Sequence, residues 1–171
     1  MRTLLALVVW SLQLGTGMYP PITTPGVVNP RITQDNLPLT VCLVGWTDTI
    51  QPSVKYMEDL KKTQMHTLGY VIPDLGATCM YASSNPACYQ EDHRIPIEVG
   101  GHPTDPANLW PQRLTGIFNA NDKDELEFAV HAALCRGDLL LSHAQSVFQG
   151  DWTSEFAEYV AVRKMRQPKV E

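Results

Sequence analysis

The chain is short of basic residues, of closely spaced cysteines and of internal repeats. Lys and Arg total 13 against 18 Asp and Glu, so the formal net charge is -5. This shortage of positive charge argues against tight, sequence-specific DNA recognition, and no helix-turn-helix or zinc-finger motif is present. The lack of repeats excludes a solenoid. An apolar content of 44% over 171 residues is that of one ordinary folded domain.

Long hydrophobic runs are missing except at the N-terminus. There, Arg2 precedes an apolar run over residues 4–14, and small residues follow at Gly15 and Gly17. The run is shorter than the roughly 20 apolar residues that cross a bilayer. We therefore predict a signal peptide over residues 1–17, export to the periplasm or the medium, and no membrane span in the mature chain.

Prolines divide the rest of the chain. Residues 18–38 contain five of them, which predicts an extended arm rather than a helix. The folded domain is predicted over residues 39–166, followed by a C-terminal tail over residues 167–171.

The 4 cysteines include no Cys-x-x-Cys pair, so a zinc cluster is disfavoured. In an exported chain, an even number of cysteines predicts disulfides. Three pairings are possible. We favour Cys79 with Cys88, which closes a short loop, and Cys42 with Cys135, which ties a first strand to the end of a helix.

The spacing of apolar and turn-forming residues predicts an α+β fold. The predicted elements, in chain order, are a strand over 41–44, a helix from Ser53 to Gly69, two hairpin strands over 89–95 and 108–110, a helix over 121–134, and two packing helices capped by Ser142 and Thr153.

Residues 91–101, which read E-D-H-R-I-P-I-E-V-G-G, carry the clearest chemistry. Phosphodiester hydrolysis needs an activated water and a cation near the departing oxygen. Asp92 is a hard oxygen ligand suited to Mg²⁺, and His93 has an ordinary pKa of about 6.5, close enough to neutrality to accept a proton from water. Neighbouring side chains of a strand point to opposite faces, so the two converge only where the strand bends. Pro96 and the glycine pair at 100–101 supply that irregularity.

Together with Asn108-Leu109-Trp110, these residues resemble the His-Asn-His (HNH) nucleases found among small secreted bacterial proteins. The resemblance covers residues 42–152. It implies a ββα-metal core, in which a hairpin and a helix hold one metal ion, with additional packing helices around it. By position, Asp92 would be the first metal ligand and His93 the general base. Asn108 would tie the hairpin loop together and orient the base.

The chain departs from the family at the start of the helix, where most relatives place a His as the second metal ligand. Here residues 119–124 read N-A-N-D-K-D, which makes the chain an HNN variant. Asn121 is our first choice for this ligand and Asn119 the second. Because an amide oxygen is a harder donor than imidazole, the pattern favours Mg²⁺ or Mn²⁺ over Zn²⁺.

Other polar residues near the motif are predicted to assist. The predicted substrate contacts are Arg94, Lys123 and His102; Arg113 and Arg136 would extend a basic patch; Glu91 and Glu98 would orient Arg94 or a metal-bound water.

The resemblance implies a divalent-metal-dependent endonuclease with little sequence preference. DNA is the expected substrate ahead of RNA, and the products would carry 5′-phosphate. The alternative is an exported nuclease-fold module that binds partners without catalysis, because the amide of Asn121 would hold metal poorly. No motif specifies an inhibitor protein.

Overall fold

A computed structural model of the chain describes residues 25–67, 79 and 85–166, with side chains up to residue 162. The chain is an α+β protein, as predicted. The described residues form helices α1 (Trp46–Ile50), α2 (Val54–Thr67), α3 (Ala120–Arg136), α4 (Leu141–Gln149) and α5 (Trp152–Arg166), and an antiparallel pair of strands, β1 (Tyr89–His93) and β2 (Leu109–Arg113). None of these helices is long and apolar enough to cross a membrane.

Three predictions fall on residues outside the described part of the chain. They are the signal peptide over residues 1–17, the tail over residues 167–171 and the end of the second helix at Gly69.

Strands β1 and β2 form the predicted hairpin with shifted boundaries. His93, the last residue of β1, pairs with Leu109, and β2 continues to Arg113. The loop that connects β1 to β2 turns sharply. A Cβ atom at Gly101 would lie 1.8 Å from the carbonyl oxygen of Ile95. Only glycine therefore fits where the loop folds back on itself.

Helix α2 packs on both strands of the hairpin. The hydroxyl of Ser53 accepts a hydrogen bond from the Tyr56 amide at 3.3 Å, so Ser53 is the helix cap, as predicted. The Tyr56 hydroxyl donates to the Thr104 carbonyl at 2.6 Å and fixes the helix to the hairpin loop. Among the apolar residues of this helix, Met65 is buried whereas Val54 is 80% exposed.

Helix α3 matches the predicted helix closely. Asn119 caps its start, and Gly137 ends it with a φ of 81°, a left-handed conformation that suits glycine. Its apolar face joins α4, α5, the loop after β1 and the N-terminal segment in the main core. The buried members of this core are Ile32, Leu37, Val41, Ile95, Val99, Leu126, Val130, Leu134, Leu141, Ala144, Phe148 and Trp152.

Residues 25–38 belong to this core, although their prolines predict an extended arm. Ile32 and Leu37 are buried, and Val28 forms a β-bridge with Gly101. Part of the segment forms a 3-10 helix, Gln34–Leu39. Prolines prevent a long helix here, but they do not prevent the apolar residues between them from packing.

The predicted strand over residues 41–44 is wrong. The segment is a series of turns, in which the Cys42 amide donates to the Leu37 carbonyl at 3.0 Å. Val44 is 99% exposed. The apolar run reads as a strand locally, but in the described residues no second strand lies beside it to complete a ladder.

Both predicted disulfides are confirmed. Cys42 is bonded to Cys135 near the end of α3, and Cys79 to Cys88 just before β1. Their sequence separations are 93 and 9. The first bond fixes the turns after the N-terminal segment to α3, so it joins distant parts of the core.

Candidate active site

The two central residues of the motif, Asp92 and His93, are both buried at the end of β1. Oδ1 of Asp92 accepts a hydrogen bond from the His93 amide at 2.8 Å, and Oδ2 accepts one from Nζ of Lys123 at 3.0 Å. Because Lys123 belongs to α3, the Asp92 carboxylate is the point at which the hairpin and this helix meet.

His93 is held in a defined orientation. Its Nε2 lies 2.9 Å from the carbonyl oxygen of Pro103. A carbonyl only accepts hydrogen bonds, so Nε2 carries the hydrogen and Nδ1 keeps its lone pair. Burial lowers the pKa of His93 below its usual value, although the Pro103 carbonyl and Asp92 act in the opposite direction. The ring is therefore neutral near pH 7 and can accept a proton at Nδ1.

Asn108 ties together the loop that holds this histidine. Its Oδ1 accepts from the Ile95 amide at 3.0 Å, and its Nδ2 donates to the carbonyls of Ile95 and His102, both at 2.9 Å. His102 precedes Pro103, whose carbonyl binds His93. Asn108 thus fixes the loop backbone that positions the His93 ring.

Helix α3 adds two carboxylates that the sequence reasoning missed. Carboxylate oxygens of Asp92, Asp124 and Glu127 lie within 4.8 Å of one another. Asp124 and Glu127 are three residues apart, so they share a face of α3. We call these three residues the acidic cluster. Asp92 is buried, Glu127 half-buried and Asp124 exposed, so the cluster opens to solvent at Asp124. The signal in the sequence was the D-x-x-E spacing on a helix that follows the hairpin.

Lys123 lies within the acidic cluster and is 0% exposed. Its ammonium donates to Oδ2 of Asp92 at 3.0 Å, to the His93 carbonyl at 2.7 Å and to Oε1 of Glu127. Burial lowers the pKa of Lys123, but Asp92 and Glu127 outweigh this effect and raise it above its usual value. Lys123 therefore stays charged, and a completely buried ammonium does not match the predicted role in contacting substrate.

Negative charge exceeds positive charge around the cluster. Burial and the charge of Asp92 raise the pKa of Asp124, with a further contribution from half-buried Glu98. Burial also raises the pKa of Glu127 although Lys123 opposes it, and Asp92 and Glu98 add to the rise. These carboxylates repel one another. A divalent cation would relieve the repulsion, and oxygen donors of this kind suit Mg²⁺ or Mn²⁺.

The two asparagines predicted as metal ligands occupy the helix start. Oδ1 of Asn119 accepts from the amide of Asn121 at 2.8 Å and from that of Asp122 at 3.4 Å, while its Nδ2 donates to the Gly116 carbonyl at 2.8 Å. The side chain of Asn119 is thus used in capping. Asn121 is exposed, and its role as a metal ligand stays a prediction.

The predicted basic patch does not form. Arg113 is buried like Lys123. Arg136 is paired with a neighbouring carboxylate, and the Arg94 guanidinium lies 5.4 Å from the centroid of the Trp110 ring. Of this group, Arg94 lies within the motif, directly after His93, and is half-buried. Substrate contact therefore remains an expectation for Arg94.

His102 stabilises the turn that leads to β2. Its Nδ1 accepts from the amides of Thr104 at 3.3 Å and Asp105 at 3.0 Å. Nδ1 is therefore the unprotonated nitrogen of this ring. The half-buried ring of His102 stabilises the loop that also carries the Pro103 carbonyl, the hydrogen-bond partner of His93.

Glu91 lies on the α2 side of the hairpin. It lines a cavity of about 500 Å³ together with Met57 and Lys61 of α2. Both of its carboxyl oxygens are buried and have no hydrogen-bond partner among the described residues. Burial, followed by the charge of Asp92, raises the pKa of Glu91 to about 8. Glu91 is therefore mostly protonated near pH 7, a state poorly suited to the predicted pairing with Arg94.

Glu91→Gln is expected to stabilise the protein above neutral pH. In the unfolded chain this carboxyl ionises around its ordinary pKa of 4.5, whereas the folded pKa is about 8. The unfolded state alone loses the proton between these values, so wild-type stability falls as pH rises through this window. We expect the variant to gain at least about 1 kcal/mol near pH 8 and little near pH 4.

Urea unfolding in EDTA at several pH values measures this gain, and Glu158→Gln, at an exposed position of α5, is the matched control. A gain that is the same at acidic and alkaline pH would show that Glu91 ionisation is not its source.

A second grouping, Cys42, His131 and Cys135, is not a metal site because its cysteines form a disulfide. The His131 ring forms a hydrogen bond with the Val41 carbonyl at 2.9 Å, which is a structural role. The acidic cluster and His93 are thus the candidate reactive groups in the described part of the chain. No protein-family model matches this chain, and neither a curated protein nor a solved structure gives a significant match.

Proposed function

We propose that this protein is a divalent-metal-dependent endonuclease that hydrolyses DNA with little sequence preference. The observation that carries the proposal is the pairing of two features: the neutral, buried imidazole of His93, and a cluster of carboxylates in which Asp92, its neighbour in β1, meets Asp124 and Glu127 of α3. A hairpin followed by a helix, with a base on the first strand and acidic ligands between the two, is the arrangement expected of a ββα-metal core. The proposal therefore includes that core.

The donor set fits a hard divalent cation. Asp92, Asp124 and Glu127 would hold it through carboxylate oxygens, and such ligands favour Mg²⁺ or Mn²⁺ over Zn²⁺. When bound, the ion would supply positive charge to the phosphate and to the departing oxygen. In this assignment Asp124 and Glu127 take the role predicted for Asn121, because their carboxylate oxygens lie within 4.8 Å of that of Asp92 and carry the negative charge that a neutral amide lacks.

The protein groups prepare the attacking water. His93 would take its proton at Nδ1, the nitrogen left free by the hydrogen bond to Pro103. Asn108 keeps the loop in place, so the ring does not need to reorient during the reaction. Since basic residues are few, and Lys123 and Arg113 are buried, substrate binding should be weak and sensitive to salt. Contacts would be made to the phosphate backbone, which carries no base sequence.

Export to the periplasm or the medium is part of the proposal. Two disulfides between described cysteines support it, because such bonds persist in oxidising compartments and are rare in the cytosol.

A noncatalytic exported interaction module is the second candidate function. The observation in its favour is Lys123, whose ammonium already bonds two members of the acidic cluster, Asp92 and Glu127. In this alternative the lysine replaces the metal permanently, and the nuclease-like fold serves only as a surface for binding partners.

Plasmid nicking separates the two candidates. The purified mature chain should nick supercoiled plasmid with Mg²⁺ or Mn²⁺ and lose this activity in EDTA. Asp92→Asn and Asp124→Asn should each reduce nicking by about 10²-fold or more, because each removes a charged ligand. Asn121→Ala should retain activity.

Calorimetric titration with Mn²⁺ provides the control for binding, and it should show loss of affinity in Asp92→Asn. Absence of both nicking and Mn²⁺ binding in the wild type would favour the interaction module. A large loss in Asn121→Ala with full activity in Asp124→Asn would restore the original ligand assignment.

A further inference from the structure

We propose that Lys123 is a built-in counter-ion that lets the acidic cluster fold without metal, and that a divalent cation can replace its charge. The inference rests on the proposed function, because the same carboxylates would hold the catalytic ion. It goes further by assigning two effects to Lys123: its charge allows the protein to fold without metal, and the same charge weakens metal binding.

The contacts of Lys123 show why it acts as a counter-ion. An ammonium has three N–H donors, and here they are matched by Oδ2 of Asp92, Oε1 of Glu127 and the carbonyl of His93. The aliphatic part is enclosed, and the ammonium lies 5.7 Å from the centroid of the Phe148 ring. A buried side chain with fully matched donors is fixed in place, unlike a lysine that reaches out to a phosphate.

Charge explains why the fold needs a cation at this point. Asp92 is buried and Glu127 half-buried, with carboxylate oxygens within 4.8 Å of each other. Two carboxylates this close, in a region of low dielectric constant, are costly unless a positive charge lies between them. Lys123 supplies that charge from the protein itself. The domain should therefore fold in the presence of a chelator, unlike small metal-binding domains that unfold without their ion.

The same contacts limit metal affinity. A divalent ion held by Asp92 and Glu127 would share two oxygens with the ammonium and be repelled by its charge. Asp124, the exposed member of the cluster, offers the approach from solvent. Binding of the ion in the wild type should therefore be weak and readily reversed, and removal of the lysine charge should strengthen it.

The test replaces Lys123 with Met, which keeps an unbranched chain and removes the charge. In EDTA, Lys123→Met should unfold on the order of 10 °C below the wild type, because two carboxylates lose their partner. Mn²⁺ should restore most of this loss while changing the wild-type Tm by only a few degrees. Calorimetry should show Mn²⁺ binding at least about 10-fold tighter in the variant than in the wild type. Lys62→Met, at an exposed position of α2, should behave as the wild type.

A second variant keeps the test decisive if Lys123→Met does not fold in EDTA. The double variant Lys123→Met with Glu127→Gln removes one negative charge as well as the positive one. It should be more stable in EDTA than the single variant and gain less from Mn²⁺, because less charge is left to neutralise. A double variant no more stable than the single one would mean that Lys123 acts through packing alone.

Several outcomes overturn the inference. A Lys123→Met protein as stable as the wild type in EDTA would show that the charge is not needed, and one equally destabilised with and without Mn²⁺ would show that metal does not replace it. If the wild type nicks DNA but Mn²⁺ does not rescue the variant, the inference fails and the proposed function stands. If Mn²⁺ rescues the variant but the wild type nicks nothing, the proposed function fails and the inference stands.

Discussion

Replacement of His93 by Ala is expected to reduce plasmid nicking by about 10² to 10⁴-fold, the usual contribution of a general base. The imidazole is neutral because burial lowers its pKa, and Nδ1 is free because Nε2 donates to the Pro103 carbonyl. Among the described histidines, His93 is the one that combines these features with a position next to Asp92, a member of the acidic cluster, in the chain. Without His93, water would have to lose its proton to solvent.

The controls for this experiment separate chemistry from folding. His143→Ala removes an exposed imidazole from α4 and should leave nicking unchanged. His93→Ala should remain folded by circular dichroism and still bind Mn²⁺, because Asp92, Asp124 and Glu127 are intact. Imidazole added to the buffer should restore part of the activity. Nicking by His93→Ala at the wild-type rate would eliminate His93 as the base and leave the mechanism without a proton acceptor.

Removal of the Cys42–Cys135 disulfide should have the largest effect on stability among single crosslinks. With a sequence separation of 93, its loss frees a long loop in the unfolded chain, for which the chain-entropy relation gives about 4 to 5 kcal/mol. We expect Cys42→Ser with Cys135→Ser to lower the free energy of unfolding by about this amount. Urea unfolding of the oxidised protein and of the double variant measures the difference.

The second disulfide provides a matched comparison. Cys79 and Cys88 are separated by only 9 residues, so their replacement by Ser should cost less, about 2 to 3 kcal/mol by the same relation. Equal losses for the two pairs would show that loop entropy does not govern their contributions. Nicking at low temperature should survive in both variants, because neither disulfide contacts His93 or the acidic cluster.

The parts of the fold that follow local rules were predictable. The hairpin was indicated by β-type segments on either side of a glycine-containing loop, and α3 by apolar residues at helical spacing before Gly137. The disulfide pairings were favoured from the order of the elements, and both are confirmed. Asp92, His93 and Asn108 were selected because a metal-ligand type, a base type and a loop-bonding amide lie close together in the sequence.

The errors arise where packing overrides the local pattern. The proline-containing segment before residue 38 suggested an arm, yet Ile32 and Leu37 complete the core. Residues 41–44 have strand-like composition, yet Cys42 is drawn into turns and bonded to α3. Neither outcome is visible in a local window, because each depends on a surface formed by residues far along the chain.

The sequence by itself determined the α+β class and the hairpin and helix that frame the candidate site, because short-range periodicity is sufficient for these. Only the tertiary structure decided which carboxylates join Asp92, that Lys123 is buried among them, and that Glu91 faces a separate cavity. The physical reason is that charge and burial depend on distances between elements. A lysine in a helix pattern is a surface cation or a buried counter-ion according to what the other elements bring beside it.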